Sequence, residues 1–170
     1  MGGAHHVSGD ENMTATSPTP RSQRTRALRR PEAEAWNHLY RTFDFVHGQV
    51  RDRLKEYEIS LPQYEALCIL RAAGPDGLPS LEVASRMVTR VPDITRLLDR
   101  LVAANWITRT RSKDDRRVVL CKLRRKGLEL LGRIDQPMTT LHKRILRHFS
   151  QAEITQLTRL LKKVRALEEQ

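Results

Sequence analysis

The chain is 170 residues long and carries 31 Lys and Arg against 20 Asp and Glu, a formal charge of +11. That length suits one domain with a proper core, and that charge favours a polyanionic partner. Two cysteines, Cys68 and Cys121, give no disulfide framework and no zinc spacing, no apolar run approaches the ~20 residues of a membrane span, and the polar start lacks a secretory leader. The expectation is a soluble, cytoplasmic protein without metal or cofactor.

Residues 1–30 show no hydrophobic period and end in RSQRTRALRR, which predicts a disordered basic arm. Pro31 suits a helix start, with Glu32 and Glu34 in the first turn. Trp36, Leu39, Phe43, Val46, Val50, Leu54 and Tyr57 then recur at spacings of three and four, the mark of a long amphipathic helix. Leu61-Pro62 is expected to break it, and a second helix to run from Gln63 to Ala73. The turn Gly74-Pro75-Asp76-Gly77 follows.

Ser80 reads as the N-cap of a short helix through Met87, with Leu81, Ala84 and Met87 as its buried stripe. After Val88 to Val91, Pro92 is expected to open another helix, PDITRLLDRLVAAN, with Ile94, Leu97, Leu98 and Leu101 facing inward. Two short helices joined by a tight turn form a helix-turn-helix pattern. Trp106–Arg111 and Arg117–Leu123 are β-prone and flank a charged knot, so a hairpin is predicted directly after it. Residues 105–127 hold nine bases and two acids, a net +7, most of the excess charge of the chain.

A long helix is predicted from Arg124 to Phe149, striped by Leu128, Leu131, Ile134, Met138, Leu141, Ile145 and Phe149, with Pro137 expected to kink or break it. Ser150 with Glu153 forms a capping box for a last helix. Its apolar face is Ile154, Leu157, Leu160, Leu161, Val164 and Leu167. Three long amphipathic helices at the chain ends could not easily bury their stripes against one small lobe. A second copy and an intramolecular bundle both remain open on that pattern. No nucleophile elbow, phosphate loop or paired carboxylates point to an enzyme.

The stretch LPQYEALCIL … LEVASRM … VPDITRLLDRLVAANWITRTRSKDDRRVVLCKLRRKGLELL resembles the MarR family of bacterial transcriptional regulators, over roughly residues 32–167. Asp115-Arg116-Arg117 matches the family's Asp-x-Arg wing signature. Leu123 through Gly127 matches its Leu-Thr-x-x-Gly helix start, except that Arg124 stands where the family has Thr, which predicts a weak cap. The resemblance implies a mainly α fold with a small β-hairpin wing: a winged helix-turn-helix in an intertwined homodimer. Residues 31–59 and 124–170 would form dimerisation helices around a lobe at 60–123. The implied function is a sequence-specific regulator of double-stranded DNA at a pseudo-palindromic operator, a repressor released by a small-molecule effector. An architectural binder that uses charge alone is the competing reading.

On this reading Arg90, Pro92, Asp93, Thr95 and Arg96, at the start of the second helix of the motif, are candidates for the major groove. Arg96 can bond guanine in two-pronged fashion, Asp93 can accept from cytosine, and Pro92 or the Thr95 methyl can touch thymine. For Arg90 and Arg96 a phosphate contact, and for Asp93 a dipole-stabilising charge, are the alternatives. In the wing, Arg109, Arg111, Lys113, Arg116 and Arg117 would face phosphates or the minor groove. By resemblance Asp115 orients and Arg117 inserts; alternatively the aspartates only solubilise the turn. Trp36, His38, Tyr40, Arg41 and Phe43 are candidates for a pocket taking an aromatic or phenolic ligand, as in some relatives, with dimer core and surface as the alternative. Cys68 and Cys121 are expected in the core.

Overall fold

The computed structural model describes residues 30–111 and 117–166. In chain order the elements are α1 (Pro31–Lys55), α2 (Leu61–Ala73), β1 (Leu78–Pro79), α3 (Ser80–Arg86), α4 (Ile94–Ala103), β2 (Ile107–Arg111), β3 (Val119–Leu123), α5 (Arg125–Ile145) and α6 (Gln151–Arg165). The expected basic arm, apart from Arg30, and Leu167 lie outside the described residues. So do Lys113, Asp115 and Arg116. Helix α1 crosses a boundary between two units at Thr42 and Phe43, and the second unit holds everything from Phe43 onward.

Local chemistry sets the helix starts. Helix α2 begins at Leu61 and not at Gln63, because Ser60 and Gln63 form a reciprocal capping box. Helix α1 has ended at Lys55, before the expected break at Leu61-Pro62, and Pro62 falls in the first turn of α2, where its missing N–H has no carbonyl to serve. Asp93 caps α4, accepting the Arg96 N–H at 2.9 Å. The expected opening at Pro92 is therefore corrected by two residues. Ser80 does not cap α3. It is the first helical residue, and its Oγ donates to the Val119 carbonyl at 3.2 Å. The residue before it belongs to β1, a strand the sequence pattern did not suggest.

β1, β3 and β2 form one antiparallel sheet in that order. Ile107 faces Leu123, Arg109 faces Cys121 and Arg111 faces Val119, which is the expected hairpin with β2 starting one residue later and β3 two residues later than expected. Leu78 faces Cys121 on the other side. Gly77 has φ 72°. A side chain there would run into the Cys121 carbonyl, so only glycine both turns the chain and lets β1 approach β3.

The core gathers Leu67 and Leu70 from α2, Val83 from α3, Leu98 and Leu101 from α4, and Ile134 from α5, all fully buried. Each such side chain contributes roughly 1.5–3 kcal/mol relative to exposure. In α3 the buried residue is Val83, while Leu81, expected inside, is 80% exposed. In α5 Leu130 is buried and Leu128 is exposed, and the helix ends before Phe149, which is also exposed. Pro137 does not break α5; the Thr139 and Thr140 hydroxyls donate to the carbonyls of Asp135 and Gln136 around it. Arg124 caps α5 with no side-chain bond, as its departure from Thr predicts. A Cβ on Gly127 would lie 2.5 Å from the Trp106 carbonyl, so the start of α5 sits directly against the entry to β2. Ser150 and Glu153 form the expected capping box on α6, yet α6 has no buried residue.

Candidate nucleic-acid interface

Helix α4 is sharply two-faced. Leu97, Leu98 and Leu101 are buried, whereas Thr95, Arg96, Asp99 and Arg100 are exposed. Arg90, Pro92 and Asp93, just before it, are exposed as well. All five residues expected at the major groove thus lie on one accessible end of this helix. Asp93 spends one carboxylate oxygen on its cap, the dipole-stabilising alternative weighed for it. The caps of α2 and α4 open on one cleft of about 290 Å³, whose walls include Ser60, Pro62, Asp93, Arg96 and Arg100. Two guanidinium groups therefore share one surface with the Asp93 carboxylate that caps α4.

The turn into α4 contains no glycine. It is held from outside: the Val88 N–H donates to Glu65 Oε1 of α2, and the Thr89 N–H donates to Oε2 at 3.1 Å. A carboxylate with two backbone partners fixes where α4 begins. The sequence offered no signal for Glu65, which lies 23 residues away from Val88.

The hairpin comes close to α4. A second cleft, of about 270 Å³, has Thr95 of α4 and Arg109 and Arg117 of the hairpin in its walls, beside Ser80 and Leu81 of α3. Arg111, at the end of β2, and Arg117, two residues before β3, are exposed. Arg109 differs from both. Its Nη1 donates to Asp99 Oδ1 of α4, and its side chain is only 21% exposed.

Of the candidate effector residues, Trp36, His38, Tyr40 and Arg41 belong to the first unit and Phe43 to the second. Trp36 and Tyr40 recur at helical spacing on one face of α1, whereas the same period turns His38 and Arg41 well away from it. All five are exposed in the single chain, Trp36 and Tyr40 by 67% each. The Phe43 and His47 rings stack obliquely, 5.4 Å apart.

Both cysteines are free thiols, Cys121 buried and Cys68 half-buried. Burial pushes both thiols up, against smaller opposing effects from Ser80 beside Cys121 and from Tyr64 beside Cys68. Burial also raises the Tyr64 hydroxyl. Next to this pair Arg71 of α2 makes a two-pronged bond to Asp135 of α5, at 2.8 to 3.0 Å. Among the described residues no cluster of three or more His, Cys, Asp or Glu could hold a metal ion. Among them, too, no helix is long and apolar enough to cross a membrane.

Comparison with known proteins gives this geometry relatives. A model of the MarR family matches residues 59–119, from the residue before the α2 cap into β3. The multiple antibiotic resistance protein MarR of Escherichia coli is 32% identical over 140 residues, 78% of this chain and 96% of that protein. Among solved structures, a MarR transcription factor from Planctomyces limnophilus is 37% identical, with a TM-score of 0.61 over 76% of this chain and 93% of its own. A mutant MarR from E. coli complexed with operator DNA is 26% identical and has a TM-score of 0.68, covering 75% of this chain and 93% of its own.

Proposed function

The chain belongs to the MarR family, and from that premise we propose that it is a transcriptional regulator that binds an operator duplex as a homodimer. The observation that carries this is α4. Its buried Leu97-Leu98-Leu101 face fixes it to the lobe, while its capped end presents Arg90, Pro92, Thr95 and Arg96 outward. An α-helix so mounted fits the major groove, where side chains at its N-terminal end reach base edges. Arg111 and Arg117 of the hairpin extend the basic surface toward the flanking backbone and minor groove. Lys113, Asp115 and Arg116, which fall between the two strands in sequence, are assigned to DNA contact on the family signature alone, with Asp115 orienting Arg117.

The second copy follows from the unpartnered apolar faces. Trp36, Tyr40 and Phe43 on α1 and Leu160, Leu161 and Val164 on α6 are all exposed in the single chain. Faces of this kind mark protein–protein contact. A two-fold dimer also presents two copies of α4 to one duplex, which calls for a pseudo-palindrome with half-sites about one helical turn apart. In this reading the protein acts in the cytoplasm by binding alone, without catalysis, as a repressor that a small aromatic or phenolic ligand releases. Trp36, Tyr40 and Phe43 supply the aromatic wall for that ligand at the dimer region.

Selection of duplexes from a random pool by the full-length protein tests the reading. The expected outcome is one pseudo-palindrome per dimer, with affinity falling steeply from low to physiological salt as phosphate contacts displace counterions. Arg96→Ala should cost about 1–3 kcal/mol and relax preference at one position per half-site. Arg117→Ala should alter preference at A·T-rich flanks instead. Binding without any preferred sequence would make this an architectural protein and reject the regulator.

A further inference from the structure

We propose that Asp99 and Arg109 form a strut that sets the angle of the hairpin to α4, so that Arg109 is a positioning residue and not a phosphate contact. This rests on the DNA-binding reading of α4 and the hairpin.

The strand register explains why Arg109 turns inward. Side chains alternate across a strand, so Ile107, Arg109 and Arg111 share one face of β2. Ile107 is buried, and Arg109 lies opposite the buried Cys121, so this is the face turned toward the helices. From there the guanidinium reaches across ten residues of sequence to Asp99. Arg109 Nε is buried and has no partner among the described residues. A side chain placed this way is committed to α4 and has little left to offer a backbone phosphate.

Asp99 lies four residues after Thr95 and three after Arg96, so it shares their face of α4 one turn further along. A bare carboxylate there would repel the phosphates that flank the groove. Paired with Arg109 it is neutralised, and the same bond ties β2 to the helix that reads bases. Arg111 lies two residues beyond Arg109 on the same strand face. Where Arg111 meets DNA therefore depends on the angle that the strut holds. The sheet itself does not depend on it, because β3 is paired to β1 on its other side.

The test uses the full-length protein, the duplex that it selects from a random pool, and a scrambled duplex of equal length. Asp99→Asn keeps the shape of an exposed side chain but removes its charge. If the strut acts, this variant should lower the ratio of selected to scrambled affinity by about tenfold, within the range of coupled neighbours, even though a repulsive charge has gone. Hydroxyl-radical protection should weaken at the flanks and persist at the centre. Arg109→Gln should do the same, and the double variant should lose no more than either single one. The reversed pair, Asp99→Arg with Arg109→Asp, should recover part of the ratio and of the flank protection.

Three results would overturn the proposal. Tighter binding of Asp99→Asn to both duplexes alike would make Asp99 a plain repulsive charge. Uniform weakening by Arg109→Gln with Asp99→Asn unaffected would make Arg109 a phosphate contact. A fall in melting temperature that accounts for equal losses on both duplexes would assign the pair to stability alone. Wild-type protein that selects no duplex rejects the DNA-binding reading itself, and the pair's role with it, before any substitution is made.

Discussion

The lobe from Leu61 to Leu123 and the last helix carry the same kind of apolar stripe, but the two meet different fates. In α4, Leu97, Leu98 and Leu101 are buried. In α6, Leu160, Leu161 and Val164 are 47%, 39% and 54% exposed, and no residue is buried. A helical period announces a face that will leave water without saying which chain will cover it. The lobe closes on itself through three helices and a sheet. The last helix has the composition of an interior and the exposure of a surface, as expected of half an interface. Helix α5 shares both conditions: Leu131 and Ile134 are buried, while Leu128 on another face is 48% exposed.

Removal of α6 is expected to have the largest effect. Deletion of residues 151–170 should abolish the dimer and operator binding together, leaving aggregate or unfolded chain. Light scattering and an operator shift assay read the two effects. A folded monomer that still binds operator would show that the lobe needs no partner, and the α6 stripe would then require another explanation.

Single leucines sharpen the contrast. Leu98→Ala opens a cavity in a closed core and should cost about 2–5 kcal/mol. Leu160→Ala removes a side chain already half in water, so about 1–2 kcal/mol per chain is expected, all of it at the interface. The two should also differ in form. Loss at Leu160 should shrink as protein concentration rises, because mass action restores the dimer, whereas loss at Leu98 should not. Melting both variants over a hundredfold range of concentration separates them.

What could be read from sequence follows the range of the forces involved. The capping box at Ser150 and Glu153, the stripe of α4 and the hairpin were all legible, since each depends on neighbours a few residues apart. Ser80 was misread because its hydroxyl answers to Val119, 39 residues away. That bond belongs to a strand pairing no local pattern announces. Leu81 and Val83 exchanged roles because α3 spans only seven residues, too few for a period to choose a face. Gly127 was legible as part of a family signature, but its reason is the Trp106 carbonyl that a side chain would strike. Glu65 and the pair Asp99 and Arg109 were invisible for the same cause as Ser80. Arg109 carries the charge of a DNA contact, and only the fold shows that it faces α4.

A smaller effect concerns the thiols of the closed lobe. Burial raises both Cys68 and Cys121, so little thiolate is present at neutral pH. Alkylation of the native protein should be slow at both, and slower at Cys121, which is fully buried. Operator affinity should be unchanged by mild peroxide. Release by peroxide that disappears on Cys68→Ser or Cys121→Ser would show that the lobe opens far more than its packing implies.

The smallest expected effect lies at the entrance to the open helix. Glu153 is held below the ordinary carboxylate range, first by the Ser150 backbone N–H at 2.8 Å and then by the Ser150 hydroxyl at 2.7 Å. Its charged form is therefore favoured in the folded protein over the unfolded chain. The stabilisation this provides is complete above the unfolded pKa and is lost as pH falls through the lower, folded one. Near neutrality the cap should be fully made, and acidification should loosen the first turn of α6 before the lobe yields. Hydrogen exchange at the amides after Ser150 should thus accelerate, relative to the intrinsic rate, as pH is lowered through the acid range, while amides of α4 stay protected. Glu153→Gln keeps a side chain that can accept from the same N–H but carries no titrating charge, so its exchange protection should be flat over that range. Asp52, lowered by its bond to Lys55 on α1, titrates in the same range and is unchanged in this variant. If the protection of α6 in Glu153→Gln still falls with pH as in the wild type, the acid sensitivity belongs to groups other than the capping carboxylate.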